Sequence, residues 1–165
     1  METLVHRSAQ LTDEDMVLFE SNLAICMDCR DWFNVSKLKH LEEYHCDSCQ
    51  QAIIRPMKLS EFWIFDKEDH FHSDNYFVAR KQNDPKLYTI KVTDYTNEGD
   101  ATFQELLAES ELMIKLQNPG ITKAYRFSYK KGKAFLILES LRNTNLRDIV
   151  QHFAISDEQL IEWMI

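Results

Sequence analysis

Glycine is nearly missing from this chain of 165 residues, which has three: Gly99, Gly120 and Gly132. A glycine-rich loop that lets backbone amides close on a phosphate therefore has no place in it. No stretch of about 18 apolar residues occurs, so no membrane-spanning helix is expected. The opening Met1-Glu2-Thr3-Leu4 has neither the basic region nor the apolar core of a secretory signal, which makes a cytoplasmic or nuclear location the expectation. Internal repeats and low-complexity tracts are also absent to the eye. Basic residues are outnumbered, 19 to 27, for a net charge of −8. That balance excludes a general nucleic-acid or anionic-membrane surface, and neither partner is expected.

What is present argues for packed structure. The chain is 44% hydrophobic and 12% aromatic, enough for one domain, or one domain plus a small module. Thr12-Asp13-Glu14-Asp15, followed by Met16, Val17, Phe19 and Leu23, reads as a short capped helix with acids at its positive end. All four cysteines then fall within 24 residues, as Cys26-x2-Cys29, sixteen residues, and Cys46-x2-Cys49. Two such pairs suit one tetrahedral zinc site, because each pair forms a tight knuckle that aims two thiolates at a point. In a reducing compartment disulfides are the poorer explanation. Four unrelated buried thiols are the bland alternative, and His40 and His45 are substitute ligands at most. Four thiolates close the coordination shell, so the zinc is expected to be structural and the module to bind a protein partner rather than to catalyse. Trp32, Phe33 and Tyr44 are expected to pack its core. Gln50 to Ser60 reads as a connection, with a boundary near Met57.

Beyond it, Phe62 to Phe65 and Tyr76 to Ala79 read as strands, with a turn at Asn83-Asp84-Pro85 between the second and the next. Leu87 to Val92 is a β-branched and aromatic run that carries Lys91. A helical pattern follows at Phe103, Leu106, Leu107, Ser110, Met113 and Ile114, stopped by Pro119. Ile121 to Tyr129 and Lys133 to Glu139 form an antiparallel hairpin closed by Lys130-Lys131-Gly132. On a helical wheel Glu109 falls at the border of the apolar face, where it can reach a strand lysine. Read alone, Glu109 is better taken as one of several solvated acids, with Glu105 and Glu111 nearby.

Strand, lysine, helix with an internal glutamate, then hairpin resembles the small lobe of a eukaryotic protein kinase. Tyr88-Thr89-Ile90-Lys91 stands where that family has V-A-I-K, and Glu109 lies ten residues before Pro119, close to E-x8-H-P-N-I. Leu138-Glu139-Ser140-Leu141 resembles the end of the fifth strand and the hinge, and Asn145 to Val150 the short helix after it. The resemblance implies Lys91 at the nucleotide phosphates, Glu109 fixing Lys91, Val78 and Thr89 over the adenine, and backbone groups of Glu139 and Leu141 at the hinge. It departs from the family at the three glycine positions, which hold Phe71, Ser73 and Tyr76, and Glu68, Asp69 and Asp74 would repel a triphosphate. Mg·ATP is therefore expected to be held weakly. His70 and His72 read as a polar hairpin tip.

The expected fold is α+β: a helix and zinc-ribbon-like module over 1–57, a five-stranded antiparallel kinase-like small lobe with one helix over 58–141, and the start of a helical large lobe over 142–165. Ser156-Asp-Glu-Gln159 caps a helix carrying Leu160, Ile161, Trp163 and Met164. No H-R-D-x4-N or D-F-G segment occurs in residues 1–165. The expected function is serine/threonine-type phosphotransfer in a longer parent, acting on a protein substrate, with this chain alone inactive. The alternative is a non-catalytic, pseudokinase-like scaffold.

Overall fold

The computed structural model describes residues 11–68, 75–116, 118 and 121–140. Two short hairpins precede a single large sheet. Helix α1 (Asp13–Phe19) leads into β1 (Leu23–Ile25), which pairs with β2 (Trp32–Asn34), and β3 (Glu43–His45) pairs with β4 (Ala52–Ile54). Then come β5 (Met57–Leu59), β6 (Phe62–Lys67), β7 (Tyr76–Lys81), β8 (Leu87–Asp94), α2 (Ala101–Lys115), β9 (Ala124–Lys130) and β10 (Lys133–Glu139). They form one antiparallel sheet in the order β5-β6-β7-β8-β10-β9.

The α+β architecture holds, but the sheet has six strands rather than five. The extra strand, β5, lies in the stretch read as a connection. Met57, Lys58 and Leu59 alternate about the sheet and turn into β6 through Ser60, whose φ is 55°. Three residues are too few for alternation to stand out in a sequence. Leu23 belongs to β1 and not to the preceding helix, and the strand expected from Ile121 begins at Ala124. β4 also lies in the stretch read as a connection, and β1, β2 and β3 are likewise too short to read as strands from the sequence, whereas α1, β6, β7, β8, α2 and β10 lie where their residue patterns place them. Asp69, His70, Phe71, His72, Ser73, Asp74, Pro119, Leu141 and residues 142–165 lie outside the described residues.

Local chemistry explains the well-marked elements. Thr12 caps α1 in a reciprocal capping box with Asp15, and Asp100 caps α2 by accepting from the Thr102 amide at 2.9 Å. The β9–β10 turn places Lys131 and Gly132 at φ 52° and 78°, the left-handed pair that a two-residue hairpin requires.

The sheet curls strongly. Alternate strands of a flat sheet lie roughly 9.5 Å apart, yet Phe62 on β6 meets Tyr88 on β8 with ring centroids 5.0 Å apart, and Tyr88 meets Tyr125 on β9 at 5.6 Å. The enclosed face buries Phe62, Ile64, Phe77, Ile90, Phe135 and Ile137. The opposite face is covered in two places. Phe103 and Leu106 of α2 pack on Ala124, Leu136 and Leu138 at one end. At the other end Met16 and Phe19 of α1, with Leu11, pack on Trp63, Phe65 and Val78.

Gly132 cannot take a side chain freely: a Cβ there would stand 3.3 Å from the Tyr95 carbonyl at a positive φ. Gly132→Val is expected to lower unfolding free energy by about 1–3 kcal/mol through backbone strain, read as a lower midpoint in urea denaturation.

Candidate functional site

The four cysteines sit on two copies of one structural unit. Cys26 follows β1 and Cys46 follows β3. The Arg30 amide donates to the Cys26 carbonyl at 2.9 Å, and the Gln50 amide to the Cys46 carbonyl at 2.8 Å. Arg30 and Gln50 both adopt the left-handed conformation, at φ 64° and 62°. Return bonds from the Cys26 and Cys46 amides, to the Asp31 and Gln51 carbonyls, are each 2.9 Å long. Residues 22–35 and 42–55 are thus a repeated hairpin offset by twenty positions, which corrects the impression that the chain has no internal repeat. The two copies share little beyond their cysteines, so composition hides the repeat.

The knuckles face each other. All four sulfurs lie within 4.8 Å of one another, with Cys26 to Cys49 at 3.4 Å and Cys29 to Cys46 at 3.5 Å. Those separations are far beyond a disulfide bond of about 2.05 Å. They bracket the edge of roughly 3.8 Å expected for a tetrahedron with metal–sulfur bonds of about 2.3 Å. The donor set therefore fits one metal ion. Neither histidine joins it, since His40 Nδ1 is 3.0 Å from the Pro56 carbonyl and the cluster is made of cysteines alone.

The surroundings split the thiols electrostatically. Burial pushes Cys46 up, but hydrogen bonds from the Cys49 and Ser48 backbone and the Cys29 and Cys49 thiols outweigh it and bring it down to about 7. At Cys29 a hydrogen bond from the Asp31 backbone favours the thiolate, yet burial and the Cys46, Cys26 and Cys49 sulfurs raise it to about 12. The surroundings thus favour the thiolate at Cys46 and disfavour it at Cys29. Cys26, Cys46 and Ile53 pack with Phe33 and Tyr44. Trp32 instead turns to Phe19, 6.5 Å away, and joins the cluster under α1.

A second group of residues gathers on the α2 side of the sheet. Lys91 Nζ donates to Glu109 at 2.8 and 3.1 Å, bridging β8 and α2. Val78 and Thr89 are cross-strand partners two residues along the same face, and both are 0% exposed. Glu139 stands at the end of β10, its amide donating to the Lys123 carbonyl at 2.9 Å and its carboxylate accepting from the Lys123 amide at 2.7 Å. Leu141 is outside the described residues.

Three features escaped sequence reasoning. Glu68, read as one of the acids that would repel a triphosphate, is buried with an oxygen 3.5 Å from the Thr89 hydroxyl. Arg80 donates to the Leu11 carbonyl and to Asp13. Finally, Leu11 and the α1 residues Met16 and Phe19 share one buried cluster with Trp63, Phe65 and Val78. The apolar side of α1 was the one available signal: it announced a buried face without naming what it covers. Among the described residues no helix is long and apolar enough to cross a membrane. In comparison with known proteins, no family model matches this chain and no curated sequence matches it.

One equivalent of Co²⁺ is expected to give the charge-transfer bands of a tetrahedral thiolate site, and Cys26→Ser to abolish them. Ligands bind as thiolates, so apparent affinity should fall as pH drops through 7, where Cys46 regains its proton. Titrations at pH 6 and 8 check this sign.

Proposed function

We propose that this chain carries the nucleotide-holding small lobe of a protein kinase-like domain, joined to a structural zinc module, and that it serves Mg·ATP-dependent, serine/threonine-type phosphotransfer to a protein substrate within a longer parent. The observation that carries this reading is the Lys91–Glu109 ion pair at 2.8 Å. It joins the third and the helical element of a β6-β7-β8-α2-β9-β10 succession, the arrangement in which the kinase-like resemblance sets a phosphate-binding lysine against its glutamate. The lysine would orient the α- and β-phosphates, and Glu109 would hold the lysine in place.

Zinc is the metal that four sulfur ligands at this spacing favour. It supplies no open coordination position, so its role is to hold the two hairpins together. In zinc-finger peptides the metal contributes on the order of 10 kcal/mol to folding, a large term for strands three residues long.

A second reading, the pseudokinase-like scaffold, is favoured by the side chains at Phe71, Ser73 and Tyr76 and by the complete burial of Val78 and Thr89. The messenger sequence past the codon for Ile165 separates the two. A frame continuing into H-R-D-x4-N and D-F-G segments is the expected result, and an extension without both aspartates leaves only the scaffold. In the product of the whole frame, Lys91→Met is expected to abolish phosphotransfer. It should lower stability by no more than about 1 kcal/mol, because a partly exposed ion pair contributes no more. Kinase assay and thermal unfolding of the same preparation check the two halves of that statement.

A further inference from the structure

We propose that metal occupancy of the cysteine site sets the order of the first turn of α1, with Arg30 as the positioning residue that carries the effect. This rests on the metal reading of the four cysteines and is independent of the kinase-like one.

The two knuckles share a backbone but differ in what their last residue does. Arg30 and Gln50 both take a left-handed φ, and their amides close the two turns on the Cys26 and Cys46 carbonyls. The Gln50 side chain stays in its own turn, donating to the Asp47 carbonyl at 3.3 Å. The Arg30 guanidinium leaves its turn and donates to Asp15 Oδ2 at 2.7 Å. That same oxygen accepts from the Thr12 amide at 2.9 Å, while the Thr12 hydroxyl accepts from the Asp15 amide at 3.1 Å. One carboxylate oxygen therefore joins the first knuckle to the cap of α1.

Arg30 follows Cys29 directly, so a metal that fixes the Cys26 and Cys29 sulfurs also fixes the backbone from which the guanidinium extends. The strands on either side, β1 and β2, are three residues long and give the turn little support of their own. Asp15 is where a loosened Arg30 is felt. Its side chain is 10% exposed, against 41% for Asp13 and 57% for Glu20, the other acids that pair this segment with cations. A carboxylate so buried loses most when its cation is no longer held. A helix of seven residues does not persist in water by itself, so its order depends on its cap and its docking contacts. Arg80 and Lys58, which belong to neither knuckle, still hold Asp13 and Glu20; the effect is a loosened first turn, not a departed helix.

The test follows hydrogen exchange of peptides covering 11–20 and 87–94 in the full 165-residue chain, loaded with Zn²⁺ and stripped of it. The chains compared are the native sequence, Arg30→Ala, Arg30→Lys, Asp15→Asn and Gln50→Ala. Stripping the native chain is expected to speed exchange in 11–20 at least fivefold and to leave 87–94 unchanged. Zinc-loaded Arg30→Ala and Asp15→Asn should already exchange at the faster rate with the Co²⁺ charge-transfer bands intact. Arg30→Lys should restore most of the protection, and Gln50→Ala, the matching position on the second knuckle, should behave as native. If stripping unfolds the whole chain, 87–94 shows it, and the zinc-loaded variants decide. Native exchange of 11–20 in zinc-loaded Arg30→Ala and Asp15→Asn overturns the link, as does an equal effect of Gln50→Ala; in both cases the Co²⁺ bands leave the metal reading standing. A native chain without those bands overturns both.

Discussion

The alternation of β8 is the constraint from which the rest of the molecule follows. Tyr88, Ile90 and Val92 point into the curled core, where Phe62, Phe135 and Ile137 meet them, and this burial fixes the register of the central strand. Once it is fixed, Leu87, Thr89 and Lys91 must emerge on the other face. A slip of one residue would bury the Lys91 ammonium among aromatic rings, a cost that no partner there could offset. The ion pair with Glu109 and the burial of Thr89 are therefore two consequences of one apolar stripe.

That second face cannot stay bare, since it presents Trp63, Phe65 and Val78 at one end and Leu136 and Leu138 at the other. Two helices of different character cover it. The longer, α2, is fifteen residues and has a cap of its own at Asp100. The shorter, α1, borrows its order from the sheet and from the hairpins behind it. Arg55 ties those hairpins together: it donates to the Leu38 carbonyl and, at 2.8 Å, to Asn22 Oδ1. Lys58 reaches back to Glu20 at 2.6 Å. The cysteine module is in this sense the mount of α1.

The legible parts of the fold were those in which one physical requirement recurs over many residues. The run Leu87 to Val92, the apolar steps from Phe103 to Met113, and a glycine where a tight hairpin needs positive φ each state their structure locally. The cysteines are legible for a similar reason, because tetrahedral coordination demands that spacing whatever surrounds it. What was not legible is long-range. Strands of three residues show no period, a repeat that keeps only its cysteines leaves no compositional trace, and nothing in Leu11, Met16 or Phe19 says that Val78 is their partner. Glu68 follows the same rule, for its burial depends on a Thr89 hydroxyl twenty-one positions away.

Lys91 itself is best understood by asking what else could occupy its position. Its cross-strand neighbours are Tyr76 and Leu136, both in the cluster that Leu106 and Leu138 complete. A leucine there would extend that cluster and contribute roughly 1.5–3 kcal/mol by burial. The partly exposed ion pair contributes about 0–1 kcal/mol. Stability alone would thus favour the apolar residue, and it would leave Glu109 as an ordinary surface acid. The lysine therefore stands at a cost to the fold, with its side chain 24% exposed beside Glu109. On the kinase-like reading proposed above, that charge would be the receiving group for a phosphate.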